Sequence, residues 1–282
     1  MEKIQEALAK ARVARADARA DAPAVPARSE AQAVLEALQS GPEMAADAAW
    51  LALSPLSPDA DVLKKARIMT LTGGQDAAPF DVMRTKVLQT MRANKWCRLA
   101  ITSPTPGCGK STITLNLGFS LSRQPDLRTI VTELDLRRPS LARTLGQKPV
   151  KSFAEVLQGQ ADFAEAALCF NHNLAFALTD AAVRNPAELL HGSGVQAILA
   201  DIEARYAPDL MIFDMPPMLV SDDAMAFAGQ VDCVLLVAEA ETTTVKEIDT
   251  CERELATQTN VMGVVLNKCR FMGKEYGYSY YG

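Results

Sequence analysis

The segment Ser103-Pro104-Thr105-Pro106-Gly107-Cys108-Gly109-Lys110-Ser111-Thr112 constrains this chain more than any other. An apolar run, Leu99-Ala100-Ile101-Thr102, precedes it, and a helix-like pattern from Ile113 to Phe119 follows. Strand, glycine-bearing loop, Gly-Lys-Ser and helix is the order in which a phosphate-binding P-loop is built. The N–H groups of such a loop and the N-terminus of its helix supply positive potential for an anion. In this reading Lys110 reaches the β- and γ-phosphates of a nucleotide and the Ser111 hydroxyl sits on Mg²⁺. Pro106, Gly107, Cys108, Gly109 and Thr112 complete the cradle. Pro104 stands where the strict G-x-x-x-x-G-K-[ST] pattern has its first glycine, a departure at one position.

A P-loop needs an α/β scaffold, and 282 residues, 49% of them hydrophobic, suffice for one large α/β domain with a smaller appendage. The formal net charge of −5 argues against general nucleic-acid binding, which needs a basic surface. No apolar run approaches the roughly 20 residues that span a bilayer. The opening Met1-Glu2-Lys3 is charged and lacks a signal-peptide core. Six cysteines without a C-x-x-C pair suit reduced thiols. These features lead us to expect a soluble cytoplasmic protein.

Along the chain, residues 1–20 have helix-forming composition, and 21–60 are rich in Ala and Pro with room for a short helix at 29–39. Residues 1–61 are therefore expected to be a flexible, partly helical extension. From 62 to 270 the pattern alternates. Helices are expected at 80–93, 110–122, 153–159, 186–204 and 243–258. Strands are expected at 97–102, 128–133, 174–178, 210–213, 233–237 and 262–267. Continuous apolar strands between helices predict a mostly parallel sheet with helices on both faces. Residues 271–282 form a separate tail.

A nucleotide site also needs carboxylates at the ends of neighbouring strands to hold Mg²⁺. Asp214 ends the run Leu210–Phe213 and precedes Met215-Pro216-Pro217. Glu133 and Asp135 trail the run Thr129–Thr132, and Asp135 precedes Leu136-Arg137-Arg138-Pro139. We expect both groups to flank the P-loop strand.

These motifs, in this order, resemble the bacterial protein-tyrosine kinases of capsule and exopolysaccharide synthesis, in the soluble branch of that family. Pro106 to Ser111 is similar to the family's P-loop, Leu134 to Pro139 to its Asp-x-Asp-Leu-Arg-Arg-Pro motif, and Asp214 to Pro217 to its Asp-x-Pro-Pro motif. Asn185 to Leu190 is similar to its Asn-Pro-x-Glu-Leu-Leu segment. The resemblance covers about residues 78–282. It implies a P-loop NTPase fold of the deviant Walker, MinD/ParA-like type, ATP and Mg²⁺ as cofactors, and tyrosine autophosphorylation that regulates polysaccharide polymerisation and export. Lys110, Glu133, Asp135 and Asp214 would be catalytic, with Ser111, Asp135 and Asp214 on the metal. Implied partners are a membrane-embedded chain-length regulator, further copies of the chain and a cognate tyrosine phosphatase, with recruitment to the inner face of the membrane.

Three departures from the family stand out. Glu133 replaces the family's first Asp, and its extra methylene moves the presumed base by roughly 1.5 Å. The family's ring-forming Glu-x-x-Arg-x-x-Arg is reduced to Ala78, Asp81 and Arg84. The membrane-spanning regulator fused to many relatives is not found in this sequence. Cys108 is either an activated thiol or a small residue pointing away from the phosphates.

Four of the five tyrosines, Tyr276, Tyr278, Tyr280 and Tyr281, fall in the last seven residues. We read them as a flexible phosphoacceptor segment, an adhesive aromatic tail being the alternative. A strand ending at Asn267 is not expected beside the P-loop strand, so the tail should reach a neighbouring molecule's site. Two other functions compete: a partitioning-type P-loop ATPase, whose signature Lys is Thr105 here, and a nucleotide-binding subunit that has lost transfer activity.

Overall fold

Strands that are apolar at successive positions must be covered on both faces, and the sheet of this protein is built around that requirement. A computed structural model of the chain describes residues 42–270; the helices expected at 1–20 and 29–39 and the tyrosine tail lie outside the described residues. The first elements are α1 (Pro42–Leu51), β1 (Ser54–Pro55), α2 (Ala60–Lys65), α3 (Ala78–Asn94) and β2 (Arg98–Thr102). Then come α4 (Lys110–Ser122), β3 (Thr129–Glu133), α5 (Leu141–Thr144), α6 (Phe153–Leu157) and α7 (Phe163–Ala166). They are followed by β4 (Ala167–Phe170), β5 (Leu174–Ala177), α8 (Pro186–Leu190), α9 (Ser193–Tyr206) and β6 (Leu210–Asp214). The last are α10 (Asp223–Ala228), β7 (Cys233–Glu239), α11 (Val245–Leu255) and β8 (Asn260–Asn267).

The eight strands form one sheet in the order β1-β4-β5-β3-β6-β2-β7-β8. Every pairing is parallel except β4 with β5. Side chains alternate between two cores, as period-2 geometry demands. Ala100, Met211, Phe213, Val234 and Leu236 point into one, against Trp50, α9 and α10. Leu99, Ile101, Leu210, Ile212, Cys233 and Leu235 point into the other, against α3 and α4. The doubly covered parallel sheet expected from the sequence is therefore present.

The packed unit starts earlier than residue 62. Trp50, Leu53 and Leu56 are all buried, and Trp50 donates its indole N–H to the Tyr206 carbonyl at 2.7 Å. The Ala/Pro composition hid these anchors because they are isolated apolar residues rather than a periodic stripe. The helix expected at 186–204 is two helices, broken where Gly192 adopts an extended ψ of 137°. Strand β4 was not foreseen, since four residues directly after a one-turn helix carry no period of their own.

Candidate active site

Pairing of β2 with β6 places Ile101 opposite Asp214, and pairing of β3 with β6 places Glu133 opposite Asp214. The P-loop, Asp214 and the end of β3 thus meet at the carboxyl edge of the sheet, where parallel α/β sheets bind ligands. β6, not β3, is the neighbour of the P-loop strand, so only one of the two acidic strands flanks it. The segment after β6 continues alongside the loop. Met215, Met218 and Leu219 donate backbone N–H groups to the carbonyls of Ile101, Ser103 and Pro104. Pro104, in place of glycine, therefore serves as an acceptor in a strand-like exit. The left-handed turns are made by Gly107 (φ +89°) and Gly109 (φ +93°), where any other residue is strained.

Lys110, the first residue of α4, donates from Nζ to Asp135 Oδ2 at 2.7 Å. Burial pulls its ammonium pKa down, but Asp214, Asp135 and Glu133 outweigh that and hold it above its ordinary value. Asp214 is fully buried; burial pushes its carboxyl up, opposed by the nearby Lys110 ammonium and by the hydroxyls of Ser111 and Thr114 beside it. Its Oδ1 accepts from Thr114 at 3.4 Å, while its buried Oδ2 has no partner. Lys110, Ser111, Asp135 and Asp214 thereby lie together at the carboxyl edge of the sheet. A cavity of about 290 Å³ opens above Lys110 and Asp135, walled also by Pro106, Gly107, Arg137, Arg138, Pro216, Pro217, Val220 and Ser221.

Glu133 does not line this cavity. Its Oε1 accepts the backbone N–H groups of Ser140 and Leu141, the latter at 2.7 Å, and Oε2 accepts that of Thr179 at 3.3 Å. The longer side chain is spent on capping α5 and tethering the strand exit at Thr179, which corrects the expectation of a displaced base facing the phosphates. Burial nevertheless pushes its carboxyl up to about 7 against those three N–H donors. Cys108 also points away from the cavity: its thiol donates to the Thr105 carbonyl at 3.2 Å and is fully buried.

Sequence reading missed three contributors. Arg137 grips the buried Asp223 with two hydrogen bonds and joins the β3 exit to α10. Arg138 lines the cavity, and the Arg-Arg pair was legible in the motif without a role. Asn267 donates its side-chain amide to the Cys108 carbonyl at 2.8 Å, a contact with no sequence signal. β8 is separated from β2 by β7, yet its end reaches the P-loop all the same. The remnant of the ring motif is turned inward, for Asp81 accepts from Ser120, Arg84 and Arg123, and Arg84 also donates to the Ser120 carbonyl at 2.9 Å.

Residues 97–281 match the family described as ParA, NUBPL iron-transfer P-loop NTPase. The tyrosine-protein kinase YwqD of Bacillus subtilis is 26% identical over 216 residues, 76% of this chain and 90% of that protein. The tyrosine-protein kinase wzc of Salmonella typhimurium is 30% identical over 192 residues, which are 65% of this chain but only 26% of that protein. Among solved structures, the kinase domain of the Escherichia coli tyrosine kinase ETK is 27% identical with a TM-score of 0.62. That match covers 72% of this chain and 80% of the kinase domain. The chain belongs to the ParA-type P-loop NTPases and, within them, to the bacterial protein-tyrosine kinase family.

Proposed function

We propose that this chain is an ATP-dependent protein-tyrosine autokinase whose phosphoacceptors are Tyr276, Tyr278, Tyr280 and Tyr281. The observation that carries this reading is Lys110 at the floor of the P-loop cavity, held 2.7 Å from Asp135 beside the unpartnered Oδ2 of Asp214. A hydroxyl and two carboxylates, from Ser111, Asp135 and Asp214, are the hard oxygen donors that Mg²⁺ prefers. When bound, the ion offsets charge on the phosphate oxygens. Among the described residues no group of three or more His, Cys, Asp and Glu could hold a metal, so phosphate and water would complete its shell.

The chain's own residues supply the rest. The P-loop backbone and Lys110 bind and orient the β- and γ-phosphates. Of the three acids only Asp135 lines the cavity, so an incoming tyrosine hydroxyl meets Asp135 rather than Glu133. Further out, by resemblance to the family, the kinase would regulate polysaccharide polymerisation and export. It would work with a membrane-embedded chain-length regulator, other copies of itself and a tyrosine phosphatase at the inner face of the membrane. Among the described residues no helix is long and apolar enough to cross that membrane itself.

A second reading, a nucleotide-binding subunit without transfer activity, is favoured by one observation: Glu133 is committed to backbone amides. Incubation with γ-labelled ATP and Mg²⁺, followed by phosphotyrosine detection, separates the two. Labelled tail tyrosines support the kinase; bound nucleotide without phosphotyrosine supports the subunit. Transfer between molecules is tested by mixing a Lys110→Met protein with an active protein whose four tail tyrosines are Phe. Because Asn267 touches the P-loop and Tyr276 lies nine residues beyond it, an extended tail spans up to about 32 Å. Distance therefore does not forbid transfer within one molecule, and label absent from the inactive partner would assign it there.

A further inference from the structure

The cavity over the P-loop combines a charged floor with an apolar flank. Lys110 and Asp135 make the floor, and Pro106, Pro216, Pro217 and Val220 make the flank. Its walls come from the P-loop and from the chain leaving β3 and β6; among the described residues β7, α11 and β8 contribute nothing to it. A P-loop lysine reaches the β- and γ-phosphates, and Lys110 Nζ is turned to Asp135 at the β3 exit. The cavity therefore lies at the γ-phosphate end of a bound nucleotide. The nucleoside, carried by the α-phosphate, leads away from that end, which leaves the apolar flank to the group that receives the phosphate.

We propose that the ledge formed by Pro217 and Val220 seats the aromatic ring of the acceptor tyrosine and makes the site selective for it; this rests on the kinase reading above. Val220 is 59% exposed. A lone exposed valine is ordinary, but this one belongs to a concave wall and its backbone is fixed on both sides. On one side Met218 and Leu219 donate N–H groups to the carbonyls of Ser103 and Pro104 at 2.9 and 3.0 Å. On the other, Ser221 Oγ donates to Asp223 Oδ2 at 2.9 Å, and Arg137 holds the same buried carboxylate. An apolar surface held rigid in this way receives a flat ring at little cost in ordering. Arg138 lines the same cavity, and a guanidinium stacks well on an aromatic face. A ring on the ledge carries its hydroxyl to the floor, where Asp135 stands. A serine hydroxyl, one carbon from its backbone, would leave Pro217 and Val220 uncovered, so the ledge favours tyrosine over serine or threonine.

The test measures ring binding apart from phosphate transfer. It uses the full chain with Tyr276, Tyr278, Tyr280 and Tyr281 changed to Ser, so that the protein supplies no tyrosine of its own from that segment. With Mg²⁺ and a non-hydrolysable ATP analogue present, a blocked Gly-Tyr-Gly peptide is titrated and followed by its ring proton signals in NMR. Val220→Ala should weaken peptide binding about tenfold, the worth of two buried methyl groups, and leave the analogue's affinity unchanged. Val220→Phe, which sets a ring of its own on the ledge, should weaken peptide binding at least as much. Both variants should melt with the parent, since the side chain is exposed. Equal peptide affinity in all three proteins, or no binding in the parent, overturns the seat; phosphotyrosine in the unmodified chain would then leave the kinase reading standing without it. Loss of analogue affinity in either variant assigns the ledge to the nucleotide and also overturns the proposal. Peptide binding that depends on Val220, in a chain that transfers no phosphate, supports the seat and refutes the kinase reading instead.

Discussion

The side-chain amide of Asn267 donates to the Cys108 carbonyl at 2.8 Å and closes so tightly over Gly109 that a Cβ there would collide with it. The last described strand is thus latched to the phosphate loop. Gly109→Ala should cost about 2 kcal/mol of stability, from the left-handed φ and the collision together, and should abolish nucleotide binding. Asn267→Ala should weaken binding only about tenfold, the loss of one ordinary hydrogen bond. In the double variant the collision disappears but the backbone strain remains, so its loss should be smaller than the sum of the singles. Thermal melts and calorimetric titration with ATP measure both, and strict additivity would mean that the latch does not touch the loop.

Lys110→Met removes the cation paired with Asp135 and nearest Asp214. ATP binding should be lost, and the apo protein should be destabilised by about 3 kcal/mol because two buried carboxylates are left uncompensated. Asp214→Asn should instead reduce the Mg²⁺ dependence of binding while raising apo stability, since it removes a buried charge with an unpartnered oxygen. Unchanged ATP affinity in the Lys110 variant would sink the P-loop assignment.

Glu133 predicts a pH dependence. Its carboxyl titrates at about 7 in the folded chain against 4.5 ordinarily. Between those values the folded protein keeps a proton that the unfolded chain has lost, so stability falls as pH rises, by about 3 kcal/mol in all at 1.36 kcal/mol per pH unit. Glu133→Gln should flatten this slope. At pH 5 it should also be about 1–2 kcal/mol less stable than wild type, because its amide cannot accept from Thr179. Denaturant melts from pH 4.5 to 8 give the comparison, and parallel curves would refute it. Glu133→Asp is too short for all three amides and should destabilise the protein without speeding single-turnover autophosphorylation. A faster Asp variant would restore Glu133 as the base.

Arg84 binds Ser120 and Asp81 within its own chain, with its side chain 17% exposed. Arg84→Ala should lower stability by about 1–2 kcal/mol and leave the association state, measured by light scattering, unchanged. Dissociation of an oligomer in this variant would show that the remnant of the ring motif still joins subunits.

Much of the site was legible because it is written in consecutive residues. Gly107, Gly109, Lys110 and Ser111 follow an apolar strand, and a strand that ends in Asp214-Met215-Pro216-Pro217 must deliver its acid to the sheet's carboxyl edge. Periodicity alone implies two covered faces and a parallel sheet. What only the tertiary structure decided are relationships across space. β6 lies between the P-loop strand and β3, Glu133 turns to the amides of Ser140, Leu141 and Thr179, Asp81 and Arg84 turn inward to α4, and Asn267 lands on Cys108 from 159 residues away. A carboxylate reads the same in sequence whether it faces phosphate or a backbone N–H. Which donor it meets depends on how strands are ordered and how far each side chain reaches, and packing determines both.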